Sequence, residues 1–282
     1  YLNDTNFTYP TLLLNPQPTE ADAKVMQDKS DYRVLNVAGG NPFNETSNLT
    51  AYFHQSIGGY NAAKLHRYQD LIDHQLIKEL PLLMQAVNET QGDMAKVNLD
   101  SIAPVTNMLN AKYFIFGNRA EQVVQNPYAN GNAWFVSSLQ FVKGADAEMA
   151  ALTGLDTKHK AVVEESFRKA IETPVLGEGT AKLLARDANK VSYEAETSTG
   201  GVLVMSEVFY PGWAVTIDGK EAELARVNYI LRAVKVPAGK HRIELVYAPS
   251  SITTTATIAF IALALIALGA IAVGIGRWKK NK

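Results

Sequence analysis

The chain has 282 residues, 47% hydrophobic and 20% charged, a composition that excludes a disordered protein and fits one large domain or two modest ones. Its formal net charge is −1, but four basic residues (Arg277, Lys279, Lys280, Lys282) fall in the last six positions and no Asp or Glu follows Glu244, so the rest of the chain carries −5. That balance argues against nucleic acid as a partner. Cysteine is absent, which excludes disulfide scaffolds, thiol nucleophiles, thiolate zinc sites and iron–sulfur clusters.

The first residue is Tyr1 rather than Met, which points to a piece of a longer chain. Residues 1–18 are polar and punctuated by proline, and read as a linker or extended arrival. A mixed α/β region follows over 19–186. Thr19, with Glu20 and Asp22 behind it, predicts an N-capped helix to about Lys29. Residues 32–37 read as a strand and 39–50 as a loop. Leu65, Tyr68, Ile72, Leu76 and Leu80 form a buried stripe at helical spacing, predicting a helix from about Asn61 to Glu79 that stops at Pro81. Residues 109–116 and 133–142 read as strands, with a turn over 126–132 between them. Residues 145–152 and 160–171 read as helices.

From Asn189 the pattern turns to pure β. Six short runs (191–196, 202–209, 213–218, 222–227, 230–236 and 241–247) predict a compact antiparallel β-sandwich over 187–250. Asp218-Gly219 is the strongest hairpin signal, because a type I′ turn needs positive φ at both central residues. Alternation supports one buried face: Trp213, Val215 and Ile217 lie together, as do Ile243, Leu245 and Tyr247.

Ala256 to Gly276 is 21 residues without a charge. At 1.5 Å per residue such a helix matches the ~30 Å hydrocarbon core of a bilayer. A transmembrane helix is therefore expected over 254–276, with a basic, Trp-bearing tail over 277–282. Ala264, Ala267, Gly269, Ala270 and Gly274 would let another helix approach closely. The tail reads as a cytoplasmic flank, while residues 247–251 carry no charge. The remainder should then lie outside the cytoplasm. The fold class expected is α+β: mixed α/β, antiparallel sandwich, one transmembrane helix.

Two constellations could carry chemistry. His66, Asp70 and His74 recur every four residues on one helix, with Asp73 nearby, and such a set could ligate a metal. Without an HExxH-type spacing, a solvated face opposite the apolar stripe is preferred, and no metal or other cofactor is expected. Tyr210 and Trp213 flank Pro211-Gly212, with Glu207, Asp218, Arg226, Asn228 and Arg232 near them in sequence. Rings that stack on sugars, and charged groups that bond hydroxyls, could build a glycan-binding surface. The competing reading makes Trp213 a core residue of the sandwich and pairs the arginines with Glu207 or Asp218. Gly39-Gly40 and Gly200-Gly201 lack the context of phosphate-binding loops. Sequons occur at Asn3, Asn6, Asn44, Asn48 and Asn88 and carry little weight in a chain so rich in Asn, Ser and Thr.

Several stretches together resemble one family. Residues 56–64 (SIGGYNAAK) and 67–72 (RYQDLI) are similar to a "SIGGYHAAKxxRYQDLI" signature, with Asn61 where His is usual. Residues 107–115 (NMLNAKYFI) resemble an "LNxKYxI" strand, and residues 131–136 (GNAWFV) a further stretch. Residues 206–213 (SEVFYPGW), with 218–220, 231–234 and 237–241, resemble a C-terminal sandwich. The family is that of the YfhO-like bacterial membrane proteins, Bacteroidetes type. The resemblance implies a polytopic inner-membrane protein similar to glycosyltransferases that use polyprenyl-phosphate sugars in cell-envelope glycosylation. It implies that this chain is the last extracytoplasmic region plus the final helix. The catalytic acid would then lie upstream, and the partners would be lipid, the preceding transmembrane helices, the lipid-linked sugar and an envelope glycan. The rival readings are a non-catalytic, membrane-anchored carbohydrate-binding or envelope-structural module, and a metal-dependent hydrolase.

Overall fold

A computed structural model describes residues 16–43, 49–93, 96–97 and 99–280. Residues 1–15 of the expected extended arrival and the sequons at Asn3, Asn6, Asn44 and Asn48 lie outside the described residues.

Thr19 caps α1 (Glu20–Val25) as expected: its hydroxyl accepts from the Asp22 amide at 3.1 Å and its own amide donates to the Asp22 carboxylate at 2.8 Å. β1 (Arg33–Asn36) follows, and α2 (Leu49–Phe53) begins within the stretch read as loop. The helix expected from Asn61 starts later, as α3 (His66–Leu71), because the Asn61 side chain accepts from the Ala63 amide and holds a turn ahead of it. It also does not stop at Pro81. A π-helical turn (Ile72–Leu76) leads into α4 (Ile77–Thr90), which carries Pro81 inside it. A widened turn next to a proline is a common way for a helix to absorb the missing N–H. Two short helices, α5 (Leu99–Ile102) and α6 (Pro104–Met108), precede β2 (Ala111–Ile115) and β3 (Val123–Gln125).

The run read as one strand over 133–142 is two strands in different sheets, β4 (Ala133–Val136) and β5 (Ser138–Val142), broken at Ser137. After α7 (Ala145–Ala150), residues 160–171 are mostly not helical. They form β6 (Lys160–Glu164), parallel to β5, then a 3₁₀ turn and the short α8 (Arg168–Ile171). Ala161, Val162 and Val163 are buried on both faces, the condition that favours a β-branched run as a strand in a covered parallel pair.

The sandwich strands then run in order: β7 (Gly179–Asp187), β8 (Lys190–Thr197), β9 (Gly201–Val208), β10 (Trp213–Ile217), β11 (Lys220–Ala222), β12 (Leu224–Val227), β13 (Leu231–Val236) and β14 (Gly239–Tyr247). Asp218 and Gly219 both have positive φ and close the β10–β11 hairpin, as their sequence predicts. A five-stranded antiparallel sheet (β11-β10-β14-β8-β7) faces a four-stranded one (β12-β13-β9-β4). Both take in a strand that precedes residue 187. Between the sheets lie Val191, Tyr193, Val215, Ile243 and Leu245 on one side and Leu203, Met205, Val234 and Val236 on the other.

The four-stranded sheet is buried on its second face too. Val202, Val204, Ala225, Val227, Leu231 and Ala233 join the core of the α/β region with Leu35, Phe114, Leu152 and Val162. This explains the unbroken apolar run of β9 from Val202 to Met205, which a sheet with one wet face would interrupt with alternate polar residues. Each fully buried Val or Leu there stabilises the fold by about 1.5–3 kcal/mol. The tip of the β12–β13 hairpin completes the seam. Asn228 donates its amide to Val162 O at 2.8 Å and accepts the Val162 amide on its side chain at 2.8 Å, as a strand neighbour would.

The last element, α9 (Ser250–Lys280), contains a 25-residue stretch, Thr254–Trp278, long and apolar enough to cross a membrane. Its large side chains, from Ile258 to Trp278, are exposed rather than packed on the folded part.

Replacing Asn228 by Ala should destabilise the protein by about 1–3 kcal/mol, since the buried Val162 amide loses its acceptor. Urea unfolding in mild detergent measures this, and a Val227→Thr control separates lost packing from the lost hydrogen bond.

Candidate functional site

The end of the sandwich from which α9 departs carries the densest polar and aromatic cluster. Trp213 opens β10 opposite Tyr247, the last residue of β14. Gly212 before it has φ +99°, its carbonyl accepts the Ala248 amide at 2.9 Å, and a Cβ there would meet Pro249 at 2.9 Å. Only glycine fits so close a crossing of turn and strand end. The Trp213 and Tyr210 rings lie 5.5 and 6.2 Å from that of Tyr247, and the Arg232 guanidinium stands 4.0 Å from the centre of the Trp213 ring.

Beside the rings, Glu207 at the end of β9 collects three sheets. Its Oε1 lies 3.1 Å from Arg33 of β1 and 2.6 Å from Arg186 of β7; Arg186 also reaches Asp31 at 2.8 Å. Burial pushes the Glu207 carboxyl up, but the charges of Arg33, Arg186 and Arg232 outweigh it and hold the group below its ordinary value. Burial lowers Arg232 to about 10 against the opposing charge of Glu207. Arg232 donates Nε to Val208 O at 2.8 Å. Its Nη1 and the hydroxyl of fully buried Tyr193 have no hydrogen-bond partner among the described residues. Arg186, Asp187, Ala188, Val191, Glu207 and Trp213 line a cleft of about 540 Å³, large enough for a sugar ring or two.

The sequence constellation is thus brought together only in part. Tyr210, Trp213, Glu207 and Arg232 share this end. Asp218 sits at the other end of β10, five residues and about 17 Å away. There it accepts from His241 at 2.7 Å and from the Arg242 amide at 2.8 Å, and so ties the β10–β11 turn to β14. Arg226 and Arg232 are directly opposed across β12 and β13, and diverge. Arg226 pairs with buried Glu148 at 3.0 Å and covers the Phe167 ring at 4.9 Å. Trp213 also packs against the sandwich core, so its core role and its position on the cleft coexist.

His66, Asp70 and His74 line a second cleft, of about 690 Å³, with Lys78, Asp146 and Tyr229. Asp70 Oδ2 is shared by His66 Nδ1 at 3.0 Å and the Tyr229 hydroxyl at 2.8 Å. The His66 side chain is 92% exposed, and among the described residues no group of three or more His, Asp or Glu side chains is arranged to hold a metal ion. Tyr229 has φ +67°, an uncommon conformation for a bulky residue. It is held there by its amide on Glu148 at 3.1 Å, its hydroxyl on Asp70 and the Arg67 guanidinium 4.5 Å from its ring centre. Burial raises the Glu148 carboxyl, an effect that Arg226, the Tyr229 amide and Arg67 only partly offset.

Reasoning along the chain missed Arg33, Arg186, Tyr193, Glu148 and Tyr229. The only local sign was an Asn-Tyr pair at a hairpin tip; the others are ordinary residues in strands or helices until distant elements meet.

Glu207→Ala should cost about 3–5 kcal/mol, because it leaves buried arginines without their counter-charge. The wild type should lose this contribution in acid. A depressed folded-state value makes it full above the ordinary glutamate pKa of 4.5 and removes it as pH falls through the folded value. Thermal unfolding of both proteins from neutral pH to acid well below the ordinary glutamate value checks this: the gap between them should persist through mild acid and shrink only below that value.

No curated protein and no solved structure matches the chain. Residues 161–259, from β6 into α9, match the family model described as Bacterial membrane protein YfhO.

Proposed function

We propose that this chain is the extracytoplasmic end of a polytopic protein of the bacterial inner membrane, and that it holds an envelope glycan acceptor at the membrane surface for sugar transfer. In this reading α9 crosses the bilayer with its tail in the cytoplasm, as the basic flank of Arg277, Lys279, Lys280 and Lys282 against uncharged residues 247–251 supports. The α/β region (19–186) and the sandwich (187–250) then face the envelope. The polyprenyl-phosphate sugar and the catalytic acid belong to helices and loops upstream.

One observation carries the glycan assignment. The cleft bounded by Trp213, Asp187, Arg186 and Glu207 opens at the end of the sandwich where α9 begins. An aromatic wall beside carboxylates and a guanidinium is the usual chemistry of sugar recognition, and its position next to the helix puts a bound glycan at the lipid surface. The pairing of Glu207 with Arg33 and Arg186 fits a binding role better than proton transfer. It also favours, as the second reading, a non-catalytic carbohydrate-binding or envelope-structural module.

Envelope oligosaccharides should bind the full chain in lipid nanodiscs. Trp213→Ala and Asp187→Ala should each weaken binding about tenfold or more, equivalent to ~1.4 kcal/mol. Asp218→Asn, at the far end of β10, should bind as the wild type does. Equal binding by all three variants, or none by the wild type, rejects the assignment. Binding without sugar transfer by the complete protein selects the non-catalytic module.

A further inference from the structure

The aromatic end of the sandwich has a second partner besides any ligand in the cleft. Tyr247 is the last residue of β14 and α9 begins at Ser250, so only Ala248 and Pro249 separate sheet from helix. This connection is not slack. The Ala248 amide is bonded to Gly212 O, and Pro249 lies against the Gly212 backbone, so the Pro211-Gly212 turn and the helix entry are fastened together. The apolar span starts at Thr254, four residues into the helix, which is about 6 Å along its axis. The polar headgroup layer on each side of a bilayer is roughly 5–8 Å deep. With α9 crossing a bilayer, the sandwich end that carries Tyr210, Trp213 and Tyr247 would stand at headgroup level. Tyr210 is 44% and Val246 41% exposed, and Lys190 lies opposite Val246 on the next strand. Rings with one apolar and one polar end match the chemistry of that layer; Lys190, on the other face of the sheet, is paired with Glu244 at 3.1 Å. At the other end of the span Trp278 follows Thr254 by 24 residues, or about 36 Å, and so reaches the opposite interface.

We propose that Tyr210, Trp213 and Tyr247 form an interfacial anchor that sits in the outer headgroup layer and seats the sandwich end-on upon the bilayer. This rests on α9 crossing the membrane and not on glycan binding. Two aromatic girdles, one on the sheet and one on the helix, would fix the depth of the span. The short tied connection would pass that constraint to the folded part, so the cleft keeps a set height above the lipid.

The three tryptophans allow a direct test, because Trp134 is buried with its N–H on Thr157 O. Fluorescence of Trp278→Phe is compared with that of Trp213→Phe/Trp278→Phe in phosphatidylcholine–phosphatidylglycerol nanodiscs, and the difference isolates Trp213. Nitroxide on the lipid headgroup should quench that component about twofold or more, and nitroxide at the acyl-chain terminus much less, as for other interfacial tryptophans. A Trp213 component indifferent to both lipid labels overturns the proposal, whether it is quenched from water or shielded by protein. Retained helical content in both variants shows that the comparison is between folded proteins. Failure of glycan binding with normal headgroup quenching rejects only the glycan assignment.

Discussion

The structure depends on one sheet having no wet face. β9 and β13 are buried on one side by the five-stranded sheet and on the other by the α/β region. A sheet so covered cannot be peeled from either neighbour without exposing a row of Val and Leu side chains, each worth about 1.5–3 kcal/mol. The sandwich and the region before it are consequently one packed body, joined by β4 on the edge of the four-stranded sheet and by the Asn228-Tyr229 hairpin tip set against β6. Glu207 takes its place from the same constraint. Where β9 reaches the end of the shared wall, strands from three sheets converge, and Arg33 and Arg186 share the Glu207 carboxylate.

Local chemistry was legible where it acts over a few residues. The Thr19–Asp22 capping box, the left-handed Asp218-Gly219 turn and the uncharged run of α9 all depend on neighbours in the chain, and all are present. Residues 160–171 show the limit. Their apolar spacing suits a helix, but Ala161 to Val163 are held as a strand by pairing with β5, some twenty residues earlier. Pro81 shows another: a proline ends a helix only if the ladder before it cannot adjust, and the π turn at Ile72–Leu76 is such an adjustment. Of the candidate glycan residues, proximity in sequence kept Tyr210 and Trp213 together. It could not reveal that a five-residue strand carries Asp218 to the other end, or that Arg226 turns to Glu148 on α7.

These features converge on the end of the sandwich next to α9. Aromatic rings, a guanidinium cluster and a cleft meet where the polypeptide leaves the folded body, and the tied Ala248-Pro249 connection removes the freedom a linker would allow. The function proposed for this segment follows from place as much as from residue type. In the proposed arrangement the cleft would meet ligands that are themselves held at the lipid surface.

The most direct test of the membrane arrangement uses the absence of native cysteine. A single Cys is introduced at Glu221, on the folded part, or at Arg277, beyond the span, and intact cells or spheroplasts are treated with a membrane-impermeant maleimide. The account predicts labelling of Glu221→Cys without permeabilisation and of Arg277→Cys only after it. The reverse pattern, or recovery of the protein outside the membrane fraction, would contradict it.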